Sequence, residues 1–209
     1  MTDRRVLVPR DRVPRWLQNF TDRHGETRFS LAADQIRADA TDGAVATIVT
    51  NVGRLAPGEQ PSALLSQLRS DLTVGVILAR KGGHAVGVFA GDLLLAHANG
   101  SAYVQGRTKA GGWSQQRYAR RRDNQAHRAY AKAGDDAARI LLEHDLDALV
   151  CAGDKAAITA ILADPRLAPL TALWDHHVRP VAEPRLKVLV EFGRTLTGVT
   201  ITVNEQARQ

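Results

Sequence analysis

The sequence predicts an α/β (α+β) fold, a mixed sheet carrying an antiparallel meander with helices packed on it. Three observations predict it. From Thr73 to Gln105, short aliphatic runs alternate with glycine-containing turns. A long stretch of helical periodicity follows, roughly Ser114 to His144. Beyond it, strand-like and helix-like runs alternate to the C-terminus. A chain of 209 residues suffices for one large domain or two small ones. With 44% apolar and 24% charged residues its composition is ordinary for a globular protein, which excludes a disordered tail and a fibrous repeat.

The elements follow in order. Asp11–Arg23 carries Val13, Trp16, Leu17 and Phe20 at helical spacing and is closed by His24-Gly25. Thr27–Ala32 alternates as a strand, with Phe29 and Leu31 on one face. Asp42-Gly43 is a turn, and Ala44–Asn51 is a strand. Pro57-Gly58 and Pro61 mark a loop, after which Ser62 to Ser70 spaces Leu64, Leu65 and Leu68 as a helix does. Thr73–Arg80 is a strand, Lys81-Gly82-Gly83-His84 a hairpin turn, and Ala85–Ala90 the returning strand. Gly91-Asp92 turns again into Leu93–Ala98. Asn99-Gly100 is the strongest hairpin signal in the chain and predicts a further strand over Ala102–Gln105. After the long helix, Asp147–Ala152 reads as a buried strand, and Asp154 as the N-cap of a helix through Leu162. Pro165 and Pro169 interrupt the chain. Val178–Val181 predicts a short strand, Pro184–Thr195 a helix, and Val199–Val203 a final β-branched strand.

Several function classes are excluded or disfavoured. The longest apolar runs, Thr73–Ala79 and Leu93–Ala96, fall far short of a membrane span. Met1 to Arg15 is arginine-rich, is broken by Pro9 and Pro14, and has no apolar segment of a secretory signal, so a cytoplasmic protein is expected. Cys151 is the single cysteine, which rules out an internal disulfide and a cysteine-cluster metal site. It is expected to pack as a small apolar residue.

The net charge of +6 is unevenly placed. Ser101 to Lys132 holds eight basic residues and one acid, so the rest of the chain is close to neutral. Such a concentrated field suits a polyanion, and nucleic acid is the commonest. On charge alone, a solvated helix face is the more frequent explanation. The neighbouring residues alter that balance. A cationic loop with Arg107 and Lys109 reaches Gly111-Gly112 and enters the helix at Trp113-Ser114-Gln115-Gln116-Arg117. Paired glycines let the backbone come close to a partner. Ser114 is the expected N-cap, and the free amides behind it suit a phosphate or a developing oxyanion. At 100° per residue, Arg117, Arg121, Asn124 and Arg128 form one stripe, flanked by Arg120. Ala119, Ala126, Tyr130, Ala133 and Ala137 fall opposite. Arg122 lies nearer the apolar boundary, where a structural ion pair is expected.

The run Lys109-Ala110-Gly111-Gly112-Trp113-Ser114-Gln115-Gln116-Arg117, followed by Arg120-Arg121-Arg122-Asp123-Asn124-Gln125, resembles the actinobacterial-type VLRF family of Vms-like release factors. That family is similar to the catalytic middle domain of the eukaryotic and archaeal class I peptide release factor, with a modified RNase H-like fold. One domain with a small N-terminal helical extension is the simplest division of the sequence, the extension over residues 1–26 and, on the resemblance, a release-factor-like catalytic domain over 27–209. The resemblance implies hydrolysis of peptidyl-tRNA on stalled ribosomes or on obstructed large subunits. The family's Gly-x-x-Gln pattern maps to Gly112-Trp113-Ser114-Gln115, with Gly111 and Gly112 as the hinge and Gln115 as the working amide; Gln116 is the alternative. Lys109, Arg107, Arg117, Arg120, Arg121 and Arg128 are the expected RNA contacts. The partners implied are the large ribosomal subunit, its rRNA and peptidyl-tRNA, bound by a monomer that uses no metal, no organic cofactor and no membrane. The length leaves no room for a codon-reading domain, so release independent of a stop codon is expected.

Other signals carry less. Asp175-His176-His177 is two adjacent histidines without an evident third ligand, and a surface role is expected. Asp92, Asp123, Asp135 and Asp136 would serve a two-metal nuclease only if they converged. Cys151-Ala152-Gly153-Asp154 has one glycine and reads as a helix cap rather than a phosphate turn. Trp16 and Trp174 are expected to pack, and Trp113 to contact RNA or anchor the helix. The competing functions are a ribosome- or RNA-binding module without catalysis and a metal-dependent RNase H-like nuclease.

Overall fold

A computed structural model describes residues 3–32, 35–52, 61–69, 72–81, 83–101 and 113–208. The first elements are β1 (Arg4–Val8), α1 (Val13–His24), β2 (Thr27–Ala32), β3 (Gln35–Ala40), β4 (Val45–Thr50) and α2 (Ser62–Arg69). The meander β5 (Thr73–Arg80), β6 (Gly83–Ala90) and β7 (Leu93–Ser101) follows, then α3 (Trp113–Leu141). The chain ends through β8 (Ala148–Gly153), α4 (Lys155–Leu162), α5 (Ala168–Thr171), β9 (Trp174–Arg179), α6 (Leu186–Leu196) and β10 (Val199–Val203).

These elements form a mixed α/β fold in two units, residues 1–71 with 193–209 and residues 72–192. The first 26 residues, expected as a helical extension, lie within the first unit. Their arginine-rich start contains β1, which pairs with β10, and α1 contributes Val13, Leu17 and Phe20 to the same core as Ile36, Ile48 and Ile201.

The first unit holds an antiparallel sheet in the order β1-β10-β4-β3-β2. Its period-two pattern points one face inward: Ile36 and Ala38 are buried while Gln35 and Arg37 are exposed. Strand β3 escaped the sequence reading because its inward positions are an isoleucine and a small alanine set among charged residues.

The second unit holds a mixed sheet in the order β7-β6-β5-β8-β9. β5–β6 and β6–β7 are antiparallel, and β5–β8 and β8–β9 parallel. This is the mixed sheet with an antiparallel meander that the sequence predicts. β5 is buried continuously from Val74 to Ala79, as a central strand covered on both faces must be. The core joins Ile77, Val86 and Val88 of the meander to Ala133, Ala137, Ile140 and Leu141 of α3 and to Ile158 and Ile161 of α4.

Two turn assignments change. Arg80 pairs with Gly83, so the first hairpin loop is shorter than Lys81–His84. Asn99-Gly100 is not a hairpin: both residues lie within β7, opposite Ala85 and His84. A Cβ at Gly100 would stand 2.5 Å from His84 Cε1. Glycine is needed there to seat an imidazole, not to turn the chain. The strand expected over Ala102–Gln105 lies outside the described residues. β9 begins earlier than expected, at Trp174, and takes in Asp175-His176-His177.

Candidate functional site

The site region begins with α3, which at 29 residues is about 43 Å long. Alanine, arginine and glutamine dominate its sequence, all compatible with an uninterrupted helix. Its C-terminal half is anchored. Ala133 and Ala137 are buried, Tyr130 and Ala138 pack against the same core, and Ile140 and Leu141 close it. Asn124 and Arg128 are exposed, as the predicted sidedness requires.

Polar anchors fix the register of α3, and the sequence reading missed them. His84 of β6 is buried, and its Nε2 lies 2.9 Å from Asp136 Oδ2. A carboxylate only accepts, so the imidazole N–H donates. Arg139, one turn further on, donates to Asp136 Oδ1 at 2.8 Å. On the neighbouring position Arg166 Nη2 bridges Asp135 Oδ1 and Asp164 Oδ2, each at 2.6 Å. The Asp-Asp pair three residues before an arginine was the available signal. Sequence alone relates that pair to metal ligation, because the partners His84 and Arg166 are distant in sequence.

These contacts make the anchors sensitive to acid. Hydrogen bonds from the Arg166 side chain, then from its backbone N–H, hold Asp164 down at about 2. Burial pushes Asp136 upward, but hydrogen bonds from Arg139 and His84 outweigh it and leave it below the usual range. A carboxyl whose folded pKa is depressed contributes stability that is present above its unfolded pKa and lost as pH falls through the folded one. Urea unfolding at stepped pH should therefore show a stability loss between about pH 4 and pH 2, and Asp164→Asn should reduce that slope. An unchanged slope in the variant would mean that the Arg166 bridge contributes nothing.

The predicted site residues fall in three groups. Arg107, Lys109, Gly111 and Gly112 lie outside the described residues. Gln115, Gln116, Arg117, Arg120 and Arg121 occupy helical positions of α3, but their side chains are outside the description. Arg128 is described and exposed. The helix begins at Trp113, so Ser114 is already its second residue and cannot be the N-cap. Gln115 belongs to the first turn, where backbone N–H groups have no acceptor within the helix and the dipole is positive.

The discounted signals resolve structurally. Among the described residues, no group of three histidine, cysteine, aspartate or glutamate side chains is placed to hold a metal. Asp135 and Asp136 are engaged by Arg166 and His84 as above. Asp92 is exposed, and the side chain of Asp123 is outside the description. His176 and His177 are exposed on β9. Cys151 is buried and its thiol is pushed up to about 12, chiefly by burial, so it behaves as an apolar residue. Asp154 precedes α4, but its carboxylate makes no cap hydrogen bond. It instead accepts from Lys81 N–H at 3.2 Å, with Arg80 Nε at 3.7 Å, tying the start of α4 to the first hairpin.

A family model described as the actinobacteria/chloroflexi VLRF1 release factor matches residues 72–202, more than half of the chain. No curated protein matches. Among solved structures, the crystal structure of an archaeal translation termination factor, aRF1, is similar at 14% identity with a TM-score of 0.45, over 76% of this chain and 51% of that one. A second archaeal protein is similar at 15% identity with a TM-score of 0.39, over 74% of this chain and 48% of that one. The chain thus spans about half the length of either. The family match contains the whole of α3 and residues 102–112 before it, and on that match the chain belongs to the VLRF1 release-factor family of actinobacteria and chloroflexi.

Proposed function

We propose that this chain hydrolyses the ester of peptidyl-tRNA on stalled ribosomes or on obstructed large subunits in the cytoplasm, independently of a stop codon. The observation that carries the reading is the release-factor family match across residues 72–202, which encloses the segment Gly112-Trp113-Ser114-Gln115 at the start of a 29-residue helix. Gln115 is assigned as the working amide. A glutamine amide does not titrate usefully and cannot act as a general base. It offers one carbonyl acceptor and two N–H donors, enough to orient a water against the ester carbon. Backbone N–H groups of the first helical turn then face the charge that develops on the carbonyl oxygen. In well-oriented intramolecular reactions such positioning is worth on the order of 7–11 kcal/mol.

Gly111 and Gly112 act in this reading as the pliable entry to the helix, and Arg107 and Lys109 as the loop's contacts with RNA. Arg117, Arg120, Arg121 and Arg128 would bind ribosomal RNA phosphates along the helix. Among the described residues no helix is long and apolar enough to cross a membrane.

The decisive assay adds purified protein to ribosome–nascent-chain complexes and scores peptide release by the intact chain and by Gln115→Ala. Release by the intact chain alone supports the reading. Equal release by both removes Gln115 from the mechanism, and no release by either leaves a binding module. A second prediction concerns the helix stripe. Replacing Arg117, Arg121 and Arg128 together by glutamate should weaken ribosome association at least about tenfold and lower its salt slope by about two. Unchanged sedimentation with ribosomes would make the stripe an ordinary solvated face.

A further inference from the structure

The arginine-rich N-terminus lies outside the family match, and the release reading does not use it. Residues 3–24 hold six arginines and three aspartates. β1 ends the strand order of the first sheet, and a cleft of about 520 Å³ runs beside it. One wall is the stretch from Val6 to Pro9; the other is Arg12, Arg15, Trp16 and Asn19. A smaller cleft of about 230 Å³ shares Trp16 and Asn19 and adds Arg23. The indole of Trp16 is therefore a ridge between two hollows.

The sequence spacing explains this surface. Positions 12, 16, 19 and 23 follow one stripe of a helix, while Val13, Leu17, Phe20 and His24 face the core. Arg12, Arg15 and Arg23 are exposed. Among the described residues no carboxylate lines either cleft. Asp22, the nearest acid on the helix, accepts from Gln18 Nε2 at 2.7 Å. Trp16 stacks on Phe20 with ring centroids 5.3 Å apart and planes 20° apart, and Phe20 meets His24 at 4.9 Å. Phe20 and His24 are buried, so the half-buried indole is the outermost ring of an aromatic column.

We propose that this paired cleft binds a short single-stranded segment of RNA, with a base stacked on Trp16 and phosphates held by Arg12, Arg15 and Arg23. A flat apolar ring flanked by guanidinium groups, with no carboxylate lining the clefts among the described residues, is the combination that single-stranded nucleic acid uses. An acidic polypeptide would use the arginines but not the indole. RNA binding here does not depend on peptide release; only its service to the ribosome rests on that reading.

The test uses the full chain and a fluorescein-labelled uridine oligonucleotide, in the background of the Arg117, Arg121 and Arg128 charge reversal so that α3 contributes little. Arg12→Glu, Arg15→Glu and Arg23→Glu together should weaken binding at least about tenfold and reduce the salt slope by about two. The oligonucleotide should also quench tryptophan emission, and Trp16→Phe, which keeps an aromatic ring against Phe20, should abolish most of that quenching. Unchanged affinity in the triple variant overturns the proposal. So does binding of polyglutamate in preference to the oligonucleotide, or a dimer that the triple variant dissociates. Gln115→Ala should leave affinity and quenching intact, so a failure of the release reading remains separate from a failure of this one.

Discussion

Gln115→Ala is expected to lower the rate of peptide release by about 10²–10³-fold, the scale of losing one positioned hydrogen-bonding group from a catalytic site, while ribosome association should stay within a few-fold. The split follows from the roles assigned. In the proposed function the arginines of the helix would bind in the ground state and the amide would act when the water attacks. Truncating the amide should therefore depress the rate at saturating protein and leave the half-saturating concentration alone. Successive positions of a helix are rotated by about 100°, so Gln115 and Gln116 cannot both serve one ester. Gln116→Ala is accordingly expected to release at near the parent rate. Single-turnover release on ribosome–nascent-chain complexes, with pelleting to measure association, reads both quantities. A reversal of the two variants would move the working amide to Gln116, and a loss of association in Gln115→Ala would make that residue a binding contact.

The chain announces some of this fold and conceals the rest for definite reasons. The meander, α3, β8, α4 and β10 are legible because their apolar residues repeat with one clean period: β8 is buried from Leu149 to Ala152, and α3 carries alanines and a tyrosine opposite its arginines. β1 is concealed because Arg4 and Arg5 head it and only Val8 is buried. Gly100 misleads because a local rule links Asn-Gly to a turn, whereas the glycine answers to His84 across the sheet. The candidate site divides in the same way. The Gly-x-x-Gln segment is local and can be read directly. The anchors of α3 join Asp136 to His84 over 52 positions and Asp135 to Arg166 over 31, and no local pattern carries such pairs.

Gly153→Ala is expected to destabilise the second unit by about 3–5 kcal/mol, combining the penalty of a left-handed backbone with that of overpacking. Gly153 has φ of 119°, a conformation essentially confined to glycine. A Cβ there would overlap the carbonyl oxygen of Ala79 and stand 2.8 Å from its carbonyl carbon. Backbone atoms of a central strand cannot move aside as a side-chain tip can. The same carbonyl accepts from Asp154 N–H at 2.8 Å, and Asp154 in turn holds the Lys81 N–H, so relief of the overlap would break the link between β5 and the start of α4. That core also receives Ala133 and Ala137, so the helix carrying Gln115 loses its seat when the link fails. Measured by urea unfolding, the loss is a large part of the roughly 5–15 kcal/mol that holds a domain together. A midpoint within experimental scatter of the parent would show that β8 ends in a backbone path other than the one described, and would withdraw the anchoring of α3 through α4 along with it.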